Sequence, residues 1–262
     1  MAGKAGRLAF VTLAQNDEPY LSLWVRHAVD LCGGDSQHVY VLDHGSTGDH
    51  AVKMAEYARL GVHVVPVTSP VSFSPVFVES TLAAYAQQLQ TTQHYTAVIY
   101  TAADELLFLV EPAHRVRNTT FNAQFVQLAQ RRAIAPAAYE LLPTDTPFAF
   151  ERGRVLRQGN RVYRCRKYAR RGLWFPPEQP RKVSERLILL HLHRADLFTA
   201  LYRHQERALR IWAPGQRAAN SWYAHNLITE IDQLRRWAAC NADDTSQFAQ
   251  AHAIPDEWGD WL

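Results

Sequence analysis

Residues 8–31 read LAFVTLAQNDEPYLSLWVRHAVDL and contain the first strand and the first helix of the predicted fold. The run 8–13 is almost entirely apolar, which is typical of a strand buried on both faces of a sheet. From Pro19 to Leu31 the apolar residues recur at helical spacing. A buried strand followed directly by an amphipathic helix predicts a strand–helix unit of a parallel sheet.

The same alternation continues to about residue 101. Strand-like runs lie at 38–42, 62–67 and 95–101, and helix-like runs lie at 52–60 and 77–89. The pattern predicts an α/β fold with a mainly parallel sheet flanked by helices on both faces. After residue 112 it changes to a hairpin around residues 158–160, a strand at 185–193 and helices onwards from 194. We therefore predict one α/β domain, residues 1–193, and a helical C-terminal extension, residues 194–262, packed on it.

Composition excludes several classes of protein. The chain has 262 residues, of which 47% are hydrophobic, and a net charge of +3, so it is neither disordered nor strongly basic. Its three cysteines, Cys32, Cys165 and Cys240, are scattered, which argues against a disulfide scaffold. No apolar run approaches 18 residues and the first residues lack a signal-peptide core, so we expect a cytoplasmic protein, with association at a membrane surface left open. No P-loop, nucleophile elbow or G-x-G-x-x-G motif is present.

Polar residues follow three of the predicted strands. Asn16 follows the first strand, Asp43 the second, and Asp104 with Glu105 the fourth. Ligands of open α/β sheets bind outside the carboxyl ends of the strands. A carboxylate after the second strand can accept hydrogen bonds from a base or ribose, and one after the fourth can hold a cation that grips a diphosphate. Each residue alone would equally suit a turn or a helix cap, so the inference depends on all three strand ends together.

Three segments resemble the family 2-like glycosyltransferases, including the family-92-like branch. They are residues 16–21, NDEPYL, with Trp24 and His27; residues 39–47, VYVLDHGST; and residues 98–106, VIYTAADEL. The resemblance covers the first 110 residues well and the rest loosely. It implies the glycosyltransferase A-type fold and transfer of a hexose from a nucleotide-diphospho-sugar, commonly a UDP-sugar, to a hydroxyl of a glycan or glycoconjugate, as in polysaccharide biosynthesis.

The resemblance also implies roles for single residues. Asn16 would lie near the nucleotide, Asp43 would contact the base or ribose, Asp104 would be the second acid of a D-x-D element, and Glu105 would support it. The expected cofactor is Mn²⁺ or Mg²⁺. Ala102 stands where the first acid of D-x-D is usual, and the loss of a carboxylate weakens the binding of a hard cation. A catalytically impaired relative that binds a sugar nucleotide or glycan is therefore the alternative.

Histidines and basic residues add two further expectations. His191 and His193 share one face of a strand, and the resemblance suggests that one of them, His193 for preference, completes the metal or diphosphate site. Between 152 and 171 the chain has nine basic residues and no acid: Arg152, Arg154, Arg157, Arg161, Arg164, Arg166, Lys167, Arg170 and Arg171. They would contact the donor diphosphate, with Lys167 matching a lysine of the family, or an anionic acceptor, or they form a solvated hairpin face. No stacking pattern accompanies them, so nucleic acid is not an expected partner.

An inverting mechanism would also need a carboxylate base near the acceptor. Glu140, Asp145 and Glu151 are candidates by their position in the chain, and the sequence does not choose among them. A retaining mechanism would use none of them in that role.

Overall fold

The computed structural model describes residues 7–69, 74–109, 134–142, 161–164, 173–174, 182–193, 195–214, 228–234 and 252–253. The first part alternates strands and helices: β1 (Leu8–Ala14), α1 (Tyr20–Leu31), β2 (Val39–Asp43), α2 (Gly48–Arg59), β3 (His63–Pro66), α3 (Pro75–Gln93) and β4 (Ala97–Tyr100). The second part is mainly β: β5 (Glu105–Leu109), β6 (Ile134–Leu142), β7 (Arg161–Arg164), β8 (Leu173–Trp174), β9 (Lys182–His191), α4 (Leu197–Ala208) and β10 (His252–Ala253).

The first sheet has the strand order β3-β2-β1-β4-β8. Its first four strands are parallel, and β8 joins the β4 edge in the antiparallel direction. The prediction of an α/β fold with a mainly parallel sheet is confirmed. Strand β1 lies in the middle because its residues are apolar on both faces.

Helices cover both faces of this sheet, as predicted. Leu8 and Phe10 pack with the apolar residues of α1 and α2, whereas Ala9 and Val11 pack with those of α3. Successive residues of a strand point to opposite faces, so a strand that is apolar throughout needs a cover on each side. The three helices supply these covers, which leaves the strand ends as the open edge of the sheet.

A second sheet, with the order β10-β7-β6-β9-β5, was not anticipated from the sequence. Its strand β5 starts four residues after β4 ends and pairs antiparallel with β9, with Glu105 opposite His191. Leucines of β5 and β9 share the core cluster of α1. His27 of α1 also donates a hydrogen bond from Nε2 to the Leu107 carbonyl at 2.7 Å. The two sheets therefore share a continuous apolar core at this corner.

The C-terminal part begins as predicted with a helix. Asp196 caps α4, because its carboxylate accepts hydrogen bonds from the backbone N–H groups of Phe198 and Thr199. His252–Ala253 departs from the helical expectation, since it pairs antiparallel with β7 and satisfies backbone groups at that sheet edge. The boundary at residue 193 stays a prediction. Among the helices that the structure describes, none has both the length and the apolar character needed to cross a lipid bilayer.

Candidate functional site

The loops after β1 and β2 are locked to each other. Asn16 has a positive φ of 53°, a conformation that asparagine tolerates better than most residues. Its backbone N–H donates to Ser46 Oγ at 3.3 Å, and its Oδ1 accepts from the Thr47 N–H at 3.0 Å. Asp43, the last residue of β2, accepts from the Ser46 N–H at 2.9 Å. Asn16 and Asp43, both expected near the nucleotide, thus belong to one hydrogen-bonded loop pair.

The turn between β4 and β5 positions Asp104. The Glu105 carboxylate accepts a hydrogen bond from the Ala102 N–H at 2.9 Å, which fixes the turn. Trp24 of α1 donates from Nε1 to Thr101 Oγ1 at 2.6 Å, and the Leu192 N–H donates to the Asp104 carbonyl at 2.8 Å. Asp104 and Glu105 are both buried, with 3% and 4% of their surface exposed. The carboxylate that follows β4 is therefore held inside the protein from several directions.

Two histidines face the Asp104 carboxylate. His193 Nδ1 lies 3.3 Å and His191 Nε2 lies 3.7 Å from Asp104 Oδ2. His204 of α4 lies behind them, with its Nε2 at 2.9 Å from His193 Nε2. Its Nδ1 is 3.1 Å from the Ile228 carbonyl, to which it donates because a carbonyl only accepts. The end of β9 and helix α4 therefore place three imidazoles in a row beside one carboxylate.

Arg203 of α4 joins two buried carboxylates. Its Nη1 donates to Asp104 Oδ2 at 2.6 Å, and its Nε and Nη2 donate to Asp17 Oδ1 at 3.2 and 2.9 Å. Arg203 is 3% exposed, and its guanidinium lies over the Tyr20 ring at 4.7 Å from the centroid. Burial alone would raise the pKa of Asp104, but Arg203 and then His191 outweigh it and hold that pKa well below its usual range. Burial likewise opposes the charge of Arg203, yet Asp104 and Asp17 raise its pKa, so all three groups remain ionised.

Two more arginines follow: Arg207 in the same helix, and Arg210 two residues after the helix ends. Arg207 Nη2 lies 3.8 Å from Asp17 Oδ1, and Arg210 Nη2 donates to the Gln15 carbonyl at 2.6 Å. Burial and then the charge of Arg203 lower the pKa of Arg207 to about 10, so it still carries a proton at neutral pH. We did not predict Arg203, Arg207 or Arg210 as site residues. The i, i+4 spacing of Arg203 and Arg207 was the available signal, since it places both on one face of α4.

Asn16 and Asp17 connect the two halves of this edge. Asn16 bonds to the loop after β2, whereas the next residue, Asp17, is bridged by Arg203 to Asp104 after β4. The order β2-β1-β4 makes the loop after β1 the middle of the edge. Hydrogen bonds and ion pairs therefore join the three strand ends singled out in the sequence into one connected cluster.

Asp104, His191 and His193 have the donor atoms of a metal site. One potential ligand atom from each lies within 4.8 Å of the others. Ligands around a tetrahedral ion bonded at ~2.1 Å are about 3.4 Å apart, close to the two distances from Asp104 to the imidazole nitrogens. Arg203 shares Asp104 Oδ2, and a carboxylate has lone pairs for both partners. These residues fit a divalent cation, and two imidazoles favour a transition metal over Mg²⁺.

The other predicted residues have mixed outcomes. The structure places Glu140 within β6, in register with His191 of β9 and Tyr163 of β7. Asp145, Glu151 and Lys167 lie outside the described residues, as does most of the basic run except β7. The Glu105 carboxylate contacts the Ala102 backbone, a position that suits support of the turn. Their functional roles stay predictions.

Comparison with known proteins gives little further guidance. No protein-family model matches the chain, and no curated protein matches it either. Among solved structures, a similar one is the crystal structure of S. aureus TarS, a glycosyltransferase, with 10% identity and a TM-score of 0.32. The alignment covers 55% of this chain and 23% of that chain, so this protein spans less than a quarter of TarS. A TM-score of this size supports no argument about function.

Proposed function

We propose that the protein is a glycosyltransferase that moves a sugar from a UDP-sugar to a hydroxyl of a glycan or glycoconjugate. The observation that carries this proposal is the joined edge of the parallel sheet. Asn16 and Asp43 form a nucleoside side, Asp104 with His191 and His193 forms a cation side, and Asp17 links them through Arg203. A nucleotide-diphospho-sugar needs both sides at once, because its diphosphate lies between its nucleoside and its sugar.

The reaction would proceed by attack of the acceptor oxygen on the anomeric carbon. The bond from that carbon to the diphosphate oxygen breaks, the diphosphate leaves with the electron pair, and the acceptor proton passes to a base. Glu140 is the described candidate for this base, since its place in β6 is beside His191. Asp104, His191 and His193 would hold a divalent cation, whose charge stabilises the leaving diphosphate.

A second candidate function is binding of a sugar nucleotide or glycan without turnover. Two features favour binding without turnover: Ala102 in place of an acid, and the hydrogen bond that Arg203 donates to Asp104. Both reduce the carboxylate charge that is available to a metal. The two candidates differ in one measurable respect. The enzyme hydrolyses or transfers its donor, whereas the binding protein only retains it.

UDP titrations by calorimetry, with and without Mn²⁺ or Zn²⁺, and a donor-hydrolysis assay test the proposal. We expect metal to strengthen UDP binding, Asp104→Asn to abolish that effect, and Asp43→Asn to weaken UDP and uridine alike. Asp30→Asn is a matched control, because Asp30 is exposed near the end of α1, far from the carboxyl edge. Circular dichroism would verify that each variant folds.

The outcomes separate the alternatives. UDP binding without hydrolysis or transfer of any UDP-sugar would favour the binding protein. If Asp104→Asn changed neither UDP affinity nor turnover in a folded protein, the assignment of the site would be wrong.

A further inference from the structure

Arg203 and Arg207 of α4, together with Arg210 two residues beyond its end, form a row at the open edge of the sheet. Arg203 contacts Asp104 after β4 and Asp17 after β1, Arg207 lies near Asp17, and Arg210 donates to the Gln15 carbonyl. The row thus starts at the β4 end and continues over the β1 end. Burial and then the charge of Arg210 lower the pKa of His44, which directly follows β2.

The three arginines of this row share a small number of carboxylate partners. Asp17 is the carboxylate whose charge acts on Arg203, Arg207 and Arg210, while Asp104 acts on the first two and Glu206 on Arg210. Arg203 is the nearest partner of Asp17, at 2.9 Å against 3.8 Å for Arg207. Arg207 and Arg210 are half-buried rather than sealed from solvent. Guanidinium groups that keep access to solvent suit the paired oxygens of phosphates.

We infer that Arg207 and Arg210 form a diphosphate-binding site over the β1 end, between the nucleoside side and the cation side. This inference rests on the proposed function and deepens it. Arg203 holds Asp17 and Asp104 in place, and the two following arginines contact the phosphate oxygens. The donor's diphosphate is then bound by protein charge in addition to any metal, so its binding persists when metal is removed.

Calorimetry in EDTA tests this with three probes: UDP, uridine and inorganic pyrophosphate. We expect the wild-type protein to bind UDP and pyrophosphate under these conditions. Arg207→Gln and Arg210→Gln should each weaken both by about tenfold or more, the usual worth of a hydrogen bond to a charged group, and leave uridine unchanged. Lysine at either position keeps the positive charge but not the two-pronged donor geometry of the guanidinium, so the lysine variants should lose less affinity for UDP and pyrophosphate than the glutamine variants. Arg59→Gln is the matched control, because exposed Arg59 ends α2 at the opposite edge of the sheet.

The outcomes distinguish this inference from the function on which it rests. Wild-type-like UDP and pyrophosphate affinity in both folded glutamine variants would overturn the inference and leave the proposed function standing. An equal loss of UDP and uridine would also overturn it, since that result indicates a distorted pocket. Pyrophosphate binding that needs Arg207 and Arg210, with no nucleotide bound under any condition, would support the anion site and refute the proposed function. A wild-type protein that binds none of the probes would refute both.

Discussion

Replacement of Arg203 by methionine is the sharpest test of the buried charge network. Methionine keeps an unbranched side chain of similar length and removes the charge that joins Asp17 to Asp104. Arg203 is 3% exposed, so solvent does little to screen its partners from each other. Removal of one partner from a buried ion pair costs about 3–5 kcal/mol, because the remaining charge is left uncompensated.

That loss is large against the whole stability of a domain, which is roughly 5–15 kcal/mol. For a chain of this size the Tm should fall by about 6–20 °C. The lower part of the range applies if Arg207 and Arg210 compensate for the loss at Asp17, to which both are electrostatically coupled. Urea titrations followed by the fluorescence of the seven tryptophans would measure the free energy of unfolding directly.

The pH dependence gives the variant a second signature. In the wild-type protein the pKa values of Asp17 and Asp104 are depressed, so their stabilisation is complete above the ordinary carboxyl pKa near 4 and is lost only as pH falls further. Without Arg203, burial raises the pKa of Asp104, opposed by His191, His193 and the charge of Arg207. The folded variant then takes up a proton at higher pH than the unfolded chain does. The difference in the free energy of unfolding between this variant and the wild type should therefore become smaller as the pH falls from 7.5 to 5.5.

Two further variants complete this test. Asp104→Asn combined with Arg203→Met removes the carboxylate charge that Arg203→Met leaves unpaired, so the double variant should recover part of the lost stability. Arg59→Met should change the stability little because Arg59 is exposed. A loss below about 1 kcal/mol in Arg203→Met would be typical of a surface pair and would refute a buried bridge. If the loss of unfolding free energy were the same at both pH values, the buried carboxylates of the variant would not be unpaired charges.

Two other predictions concern the scaffold of the site. Burial lowers the pKa of His27 to about 4, so as the pH falls the unfolded chain binds a proton at a higher pH than the native protein does. Acidification from pH 7.5 to 5 should therefore reduce the free energy of unfolding by about 2 kcal/mol through His27. The His27→Gln variant should not show this contribution. An NMR titration in which His27 shows an ordinary pKa near 6.5 would contradict this. Gly61 has φ +88°, and an added Cβ would lie 2.7 Å from Ser36 Oγ, whereas Gly33, at φ +72°, has open space. Both alanine variants bear the left-handed penalty of about 1–2 kcal/mol, and Gly61→Ala should lose measurably more stability than Gly33→Ala in urea titrations, with part of the excess recovered by Ser36→Ala.

The parallel sheet was predictable because its strands are short, apolar runs separated by helical patterns. Val39–Asp43 illustrates this, since four of its five residues are buried and its last residue is the carboxylate that marks the edge. Chain order then places the ends of β1, β2 and β4 at one edge without further information. The second sheet was not predictable in the same way. Its partners β5 and β9 are far apart in the chain, and the two-residue strands β8 and β10 are too short to show a period.

The charge network was also beyond local pattern. Asp17 and Arg203 are 186 positions apart, and Asp104 and Arg203 are 99 apart. Neither carboxylate has a neighbour in sequence that would indicate an arginine partner. The helical spacing of Arg203 and Arg207 indicates a shared face of α4, but it does not indicate that this face turns inward. Only the packing of α4 against the strand ends supplies that information.

Trp24 and His27, two residues of the resemblance, serve the site indirectly. Trp24 donates to Thr101 at the end of β4, and His27 donates to the Leu107 carbonyl in β5. Helix α1 therefore holds the β4–β5 corner from both sides, and Asp104 lies within that corner. The sequence pattern therefore includes Asp104 and also the two α1 residues that hold the corner around it.

Ala102 and Asp104 occupy different environments within the same turn. Ala102 is exposed, whereas Asp104 is buried between Arg203 and the two histidines. A substitution at position 102 therefore changes the surface that solvent contacts without leaving an unpaired charged group inside. An acid lost at position 104 would instead strand part of the charge of Arg203. The buried carboxylate is thus tied to the fold through Arg203, while the exposed position is free to vary.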